Sequence, residues 1–361
     1  MKKFWSLILC VVLVCTVLVG CGEEPIGGYI ENYPVITETV ERLDLNLYII
    51  TGDATLENAK TSVATRIAGH TKTDYNTILN VKYVSAADYE TTVANAIAAG
   101  GKDVPHIILI NSEGMFNSLI NAEGGNKLVD LTDYYKNREF GRLNTQISSA
   151  LLEASKIDGR YYTVPNNRII GEYTYVVINK AILYDYHYSN QEIASKNTIA
   201  AVEQFKAELK TNNPSMTDEQ LASLVRLETG SYEKRYQLAN EGFCNVVATP
   251  TVTTSDAFAS AFAIVNTTYK HNDRAMKMIY AINNDAELRN LLQYGVQGAN
   301  YVINNGDIVR VQDDKNTYQM NLDYTGDLFK AAYSSELGWV DGVYNYRLQH
   351  SKELTKELPA G

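Results

Sequence analysis

The chain has 361 residues, with 32 Lys and Arg against 42 Asp and Glu, a formal net charge of −10, and 45% hydrophobic and 20% charged residues. So ordinary a composition excludes wholesale disorder, collagen and a disulfide-stapled miniprotein. The acidic balance excludes a nucleic-acid partner, which would need basic surface to meet phosphates. Such a length predicts about two domains, since single cores seldom grow past roughly 250 residues. Tyrosine stands out at 26 copies beside 8 Phe and 2 Trp. Its ring joins a flat apolar face to a hydroxyl, which suits a wet binding surface as well as a core.

Residues 1–20 read as an export signal rather than as fold. Lys2 and Lys3 form a positive start, and the apolar run from Phe4 to Gly20 is broken only by Ser6, Cys10, Cys15 and Thr16. The run is too short and wrongly flanked for a spanning helix. Its end, Leu18-Val19-Gly20-Cys21, resembles the lipobox of bacterial lipoproteins. That resemblance implies cleavage before Cys21 and acylation of its thiol, palmitate included, with 21–42 as a polar tether. Several acyl chains hold firmly where one holds reversibly. The alternatives are an ordinary signal peptide with a chance cysteine, or an uncleaved anchor. Cys244, in the apolar run Phe243-Cys244-Asn245-Val246-Val247, reads as a buried small hydrophobe. No disulfide is available to the exported chain, so packing must stabilise it.

Leu45–Ile50 alternates and then runs apolar up to Thr51-Gly52-Asp53, a buried strand with a loop at its end. A helix is predicted over 54–68, a strand over 79–84 and a helix from Asp88 through Ala99, stopped by Gly100-Gly101. His106–Ile110 is a nearly continuous apolar strand of the kind found in parallel sheets covered on both faces. Strand, helix, strand, helix, strand is an α/β order with a mostly parallel sheet. Residues 128–135 read as a turn and short helix, followed by an amphipathic helix near 141–155, and Asp158-Gly159 makes a tight turn. Glu172–Lys180 reads as a strand, 198–210 and 217–227 as helices, 242–250 as containing a strand, and 271–283 as a helix.

Taken in order, several segments resemble the extracellular solute-binding proteins of ABC importers, in the carbohydrate-binding, maltose-binding-protein-like group. They are Cys21, the strand 45–50, Gly101–Ile107, Leu128–Leu131 and Asp158-Gly159-Arg160-Tyr161-Tyr162-Thr163-Val164-Pro165 followed by Tyr175–Lys180. Ser260–Ile264, the helix beginning near Asn272 and Leu291–Tyr301 continue the series. The resemblance touches most of 43–335. It implies a periplasmic-binding-protein-like type II fold, with two lobes, a hinge and an interlobe cleft. The first lobe would be 43–176 plus 262–310 and the second 177–261 plus 311–361. The span from Lys180 to Ser260 is short for the group, so the second lobe is expected to be reduced. The implied function is lipid-anchored capture of an oligosaccharide by lobe closure and its delivery to a membrane permease, by a monomer without cofactor. A peptide or other polar solute, or a non-transport surface lipoprotein, are the alternatives.

Sugars ask for flat rings beneath their C–H faces and directional hydrogen bonds for their hydroxyls. Candidate ligand residues are therefore Tyr161, Tyr162, Tyr173 and Tyr175 around the first crossing, with Tyr232, Trp339 and Tyr344 for the second lobe. Tyr173 and Tyr175, two apart on a strand, share one face, which serves equally as a core face. Asp53 and Ser112 lie just past strand ends, the edge where open α/β sheets bind ligands. Arg168 and Glu172 could bond a ligand or each other. The histidines His70, His106, His187, His271 and His350 have no metal-ligand spacing, and no nucleophile motif, phosphate loop or dinucleotide glycine run occurs. An enzyme is therefore not expected.

Overall fold

The computed structural model describes residues 41–168, 173–230, 234–248, 252–330, 332 and 334. In chain order its elements begin with β1 (Leu43–Ile50), α1 (Glu57–Tyr75), β2 (Thr77–Val84), α2 (Tyr89–Ala99), β3 (Ile107–Ile110) and α3 (Glu113–Ile120). Next come α4 (Thr132–Lys136), α5 (Leu143–Gln146), α6 (Ser149–Ala154), β4 (Lys156–Ile157), β5 (Arg160–Tyr161), β6 (Thr163–Pro165) and β7 (Tyr173–Ile178). They are followed by α7 (Ala181–Asp185), α8 (Asn190–Ala194), α9 (Ile199–Asn212), α10 (Asp218–Leu224), β8 (Val225–Gly230), α11 (Lys234–Glu241) and β9 (Phe243–Ala248). The last are α12 (Thr254–Phe258), β10 (Ala261–Ile264), α13 (Tyr269–Asn284), α14 (Ala286–Tyr294), β11 (Tyr301–Asn304) and β12 (Asp307–Arg310).

β1 and β3 are almost wholly apolar because neighbours flank them in the sheet and helices cover its faces; Leu45, Leu47, Ile49 and all of β3 are buried. α1 lays Ala59, Val63, Ile67, Thr71 and Tyr75, each four residues on, along one buried stripe, and Asn76 in the left-handed region ends it. The helix therefore runs past the expected Ala68. The five-stranded sheet has the order β2-β1-β3-β10-β6. It is mixed rather than mostly parallel: β1 runs parallel to β2 and β3, but β10 returns antiparallel to both β3 and β6.

One buried side chain sets the spacing of this sheet. Tyr89 Oη donates to the Tyr48 carbonyl at 2.8 Å and accepts from Leu109 N at 2.8 Å, bridging β1 and β3. The paired residues of these strands are Leu47 with Ile107 and Tyr48 with Ile108. Beyond them, the hydroxyl stands where a direct ladder bond would run. Burial pushes this phenol far above its ordinary pKa, so it stays a neutral hydroxyl with one donor and free acceptor capacity.

A second, antiparallel sheet has the order β8-β7-β9. Its buried side chains Val176, Ile178 and Val225 pack with Ile182, Ile193, Val202, Phe205 and Leu209 into a separate apolar core. Three local expectations fail here and nearby. The helix expected over 217–227 stops at Leu224, and Val225–Gly230 pairs with β7 instead, tertiary pairing overriding local pattern. The helix expected near 141–155 splits into α5 and α6, because Ile147 takes extended backbone and buries its side chain. The β11–β12 hairpin, turning at Asn305-Gly306 with positive φ at both, went unread although Asn-Gly is a strong hairpin signal.

All of β7 from Tyr173 belongs to the three-stranded sheet, so 173–176 do not join the larger sheet. Residues 317–328, expected in the second lobe, make their hydrogen bonds to the 52–56 loop, α14 and 166–167.

α1 and α14 are clamped by an ionic cluster. Asp285 caps α14 through Glu287 N and Leu288 N, and accepts from Tyr75 Oη at 2.8 Å. His70 Nε2 lies 2.7 Å from Asp285 Oδ2, and its Nδ1 lies 2.9 Å from Asp74. Burial disfavours the imidazolium, but the hydrogen bond and charge of Asp285, then Glu287 and Asp74, outweigh it and raise the His70 pKa. Burial likewise opposes the Asp285 carboxylate, and His70 and Tyr75 overcome it, so that pKa falls.

Tyr89→Phe leaves the Tyr48 carbonyl and Leu109 N–H unpaired and should cost about 2–6 kcal/mol in urea unfolding, at roughly 1–3 kcal/mol per stranded buried group. A loss below about 0.5 kcal/mol would mean that the strands close and pair directly. The His70 contribution, from a raised pKa, is complete below about pH 6.5 and is lost as pH climbs through the raised value; that of Asp285 is lost as acid passes below about pH 4. The stability gap between wild type and His70→Asn should therefore be larger at pH 5.5 than at pH 8.5 in thermal unfolding.

Candidate functional site

The register of the larger sheet brings separate segments to one edge. Ile110, Ala261 and Pro165 lie side by side across β3, β10 and β6, so the next residues, Asn111, Ser260 and Asn166, leave the sheet together. The Asn166 N–H donates to the Ser260 carbonyl at 3.0 Å. This is the carboxyl end of β1 and β3, where helices begin and ligands dock in open α/β sheets.

A polar chain runs along this edge. Ser112, the N-cap of α3, accepts from Met115 N at 3.0 Å and donates to Glu90 at 3.0 Å. Ser255 donates to Glu113, and α12 opens with a capping box between Thr253 and Asp256. Arg168 Nη2 donates to the Asp256 carbonyl at 2.7 Å, and Arg168 Nε lies 3.9 Å from Asp323 Oδ2. Burial holds the Arg168 pKa below its ordinary value, although Asp323 and Asp256 pull the other way. Asn166 Nδ2 donates to Ser260 Oγ and to the Asp323 carbonyl, both at 2.9 Å, and Asn167 Nδ2 to Asp327 at 3.2 Å.

Residues 317–328 form a strap across the whole edge. At the β1 end, Gly52 N donates to the Gln319 carbonyl at 3.0 Å, and Thr55 exchanges hydrogen bonds with the same residue. A Cβ on Gly52 would stand 2.4 Å from that carbonyl oxygen, so only glycine permits this approach. In the middle, fully buried Arg289 holds the Leu322 carbonyl at 2.9 Å and the Asp327 carbonyl at 3.2 Å. At the β6 end, Leu328 N donates to the Asn167 carbonyl at 2.9 Å. Gly326, at φ 105°, makes the turn that a side chain would strain.

Four buried polar atoms at or beside this edge have no hydrogen-bond partner among the described residues: Asn111 Oδ1, Asn166 Oδ1, Asn167 Oδ1 and Arg168 Nη1. Asn166, Asn167 and Arg168 are at most 7% exposed. Unpaired buried groups are costly, and a ligand or water must meet them for the arrangement to be worth keeping.

Of the residues expected from sequence, Ser112 and Arg168 meet in this network, and Asp53 stands exposed in the loop joining β1 to α1, beside Gly52. Tyr161 packs its ring on Tyr135 at 4.3 Å beneath Lys156, and half-buried Tyr162 faces Phe116 at 6.5 Å. Tyr173 and Tyr175, on the central strand of the three-stranded sheet, stack at 6.2 Å and are 2% and 0% exposed. Glu172, Tyr232, Trp339, Tyr344 and Cys21 lie outside the described residues, as does the signal over 1–20. Sequence reasoning missed Asn166, Asn167, Ser260, Asp256, Glu113 and Asp323. The abrupt polar triplet Asn166-Asn167-Arg168 after Val164-Pro165 was the available signal; Asp323 had none, lying 157 residues from its partner Asn166. Hollows of about 540 and 520 Å³ lie along the free edge of β2, walled by Lys60, Lys82, Tyr83 and Asp103 among others, and no expected site residue lines them.

No protein-family model matches the sequence, and no curated protein is significantly similar to it. Solved structures do match. The N-glycan transport solute binding protein (NgtS) from Streptococcus pneumoniae aligns at 16% identity and a TM-score of 0.54, over 88% of this chain and 83% of that one. The same protein in complex with Man5GlcNAc aligns at 15% identity and 0.53 over the same shares. Its complex with Man1GlcNAc gives 14% and 0.53, over 86% and 83%.

The chain has a solute-binding-protein fold. Its mixed five-stranded sheet, three-stranded sheet and covering helices are that α/β architecture.

Proposed function

We propose that this protein is the lipid-anchored substrate-binding component of an ABC importer, capturing an oligosaccharide by closure of two lobes and delivering it to a membrane permease. The observation that carries the reading is the polar edge of the larger sheet, with its unpartnered buried donor and acceptors, in a fold shared with a glycan-binding transport protein. Hydroxyls donate and accept at once, so a sugar can satisfy Asn166 Oδ1, Asn167 Oδ1 and Arg168 Nη1 in one bound molecule. A ligand that met both the edge at 166–168 and residues of the three-stranded sheet's lobe would favour one arrangement of the two sheets, and differential contact is what shifts a hinge equilibrium. The lobes would be built on the five-stranded and the three-stranded sheets, with Trp339, Tyr232 and Tyr344 as the stacking candidates of the second.

The lipid anchor rests on the lipobox resemblance at 18–21 and places the protein outside the cytoplasmic membrane, tethered through Cys21. Cys21→Ser should move the chain from the membrane fraction to the soluble or secreted fraction and abolish palmitate labelling; unchanged labelling would remove the anchor.

Screened by calorimetry against manno-, gluco- and galacto-oligosaccharides and a tetrapeptide library, the chain should bind an oligosaccharide, and Arg168→Lys, whose single ammonium cannot both hold the Asp256 carbonyl and present a second planar donor to the ligand, should weaken that binding at least tenfold. Binding to peptides with none to any sugar would overturn the carbohydrate reading.

A further inference from the structure

The edge network is unbalanced in charge. Glu90 and Glu113 meet Ser112 and Ser255 at the end of β3, Asp256 caps α12, and Asp323 faces Arg168 from the strap. Among the described residues, Asp327, which accepts from Asn167, makes a fifth carboxylate, and two arginines answer the five: Arg168 beside Asp323, and fully buried Arg289, whose charge also acts on Asp323 and Asp327. The Arg168 guanidinium is already committed to the Asp256 carbonyl and shared with Asp323.

We infer that the ligand held at this edge is an uncharged glycan, and that these carboxylates select it against acidic glycans of the same shape. The inference rests on the carbohydrate reading above and names the class of sugar. An anionic sugar ring brought to this edge would lose its hydration and meet more carboxylates than guanidinium groups, Arg289 being spent on protein carbonyls and Gln293, a like-charge juxtaposition that disfavours the wrong partner. An ammonium ligand meets the carboxylates well but offers no acceptor to the unpaired Nη1 of Arg168. Asn166 and Asn167 have spent their amide nitrogens on a carbonyl and a carboxylate, which fixes their Oδ1 atoms as acceptors in need of a donor. A neutral hydroxyl answers both demands.

The test is calorimetric titration of the full-length chain in a detergent without a sugar headgroup, with matched pairs: galactotetraose and tetragalacturonate, mannotetraose and tetramannuronate, lactose and 3′-sialyllactose, with tetraglucosamine as the cationic member. The neutral partner of at least one pair should bind at least tenfold more tightly than its acidic counterpart in 50 mM salt, and the gap should narrow in 500 mM salt as the exposed carboxylates are screened. Asp323→Asn and Glu113→Gln should each narrow the gap at least threefold. Equal or tighter binding of the acidic partner, tightest binding of tetraglucosamine, or an unchanged gap in both folded variants would overturn the inference while leaving sugar binding intact. Failure of every sugar, neutral and charged, would overturn the carbohydrate reading itself, and this inference with it.

Discussion

A single phenol hydroxyl fixes how far apart β1 and β3 stand. In a parallel pair the ladder bonds continue evenly along both strands; here Tyr89 Oη takes the Tyr48 carbonyl and the Leu109 N–H, so the direct pairing reaches only Tyr48 and Ile108. The wedge satisfies both backbone groups while holding the strands one hydroxyl apart. Past it, the β1 chain turns toward the strap at Gly52 and Gln319, whereas β3 stays paired with β10 and delivers Asn111 and Ser112 to the polar edge. The strap's anchor and the site's donors therefore leave the sheet on opposite sides of one buried side chain.

The same device recurs, and it accounts for much of the tyrosine content. Tyr48 reaches the Asp103 carbonyl, Tyr135 the Thr163 carbonyl, Tyr318 the Leu292 carbonyl, Tyr294 the Ala332 carbonyl and Tyr75 the Asp285 carboxylate. Each ring fills core volume while its hydroxyl ties down a distant backbone or capping group, which phenylalanine could not do without stranding an acceptor. Among the described residues, where Cys244 is a free thiol, such long hydroxyl links join segments that packing alone would leave free to slide. A high tyrosine count read from sequence as a hint of wet surface is, in the larger sheet, chiefly a property of the interior.

What the sequence disclosed follows the range of the interactions concerned. Strands β1, β2 and β3 and helices α2 and α13 were legible because hydrophobic period and caps are local. Asp158-Gly159 was legible as a tight turn, and both residues take positive φ between β4 and β5. Ser112 was placed at the ligand edge because a residue after a buried parallel strand must leave the sheet there. β8 was not legible, since its extended form depends on β7 from beyond α10. Nor was the strap: nothing near Asp323 or Leu328 announces that Asn166 and Asn167 will hold them. Tyr173 and Tyr175 were read correctly as sharing a face, but alternation does not say whether that face meets solvent or a second sheet, and here it is buried.

Two buried arginines show where structure ends and function begins. Arg289 is fully enclosed and spends Nε, Nη1 and Nη2 on the Asp327 carbonyl, Gln293 and the Leu322 carbonyl. Burial lowers its pKa to about 10, still far enough above neutrality to keep the charge that strengthens these bonds. Arg168, nearly as buried, leaves Nη1 without a partner beside two asparagines with unmet oxygens. Folding alone gives no reason to strand three adjacent residues in this way, because each unmet group costs stability that an apolar side chain would have spared. Their grouping on three consecutive residues at the carboxyl edge is the observation on which the proposed ligand rests.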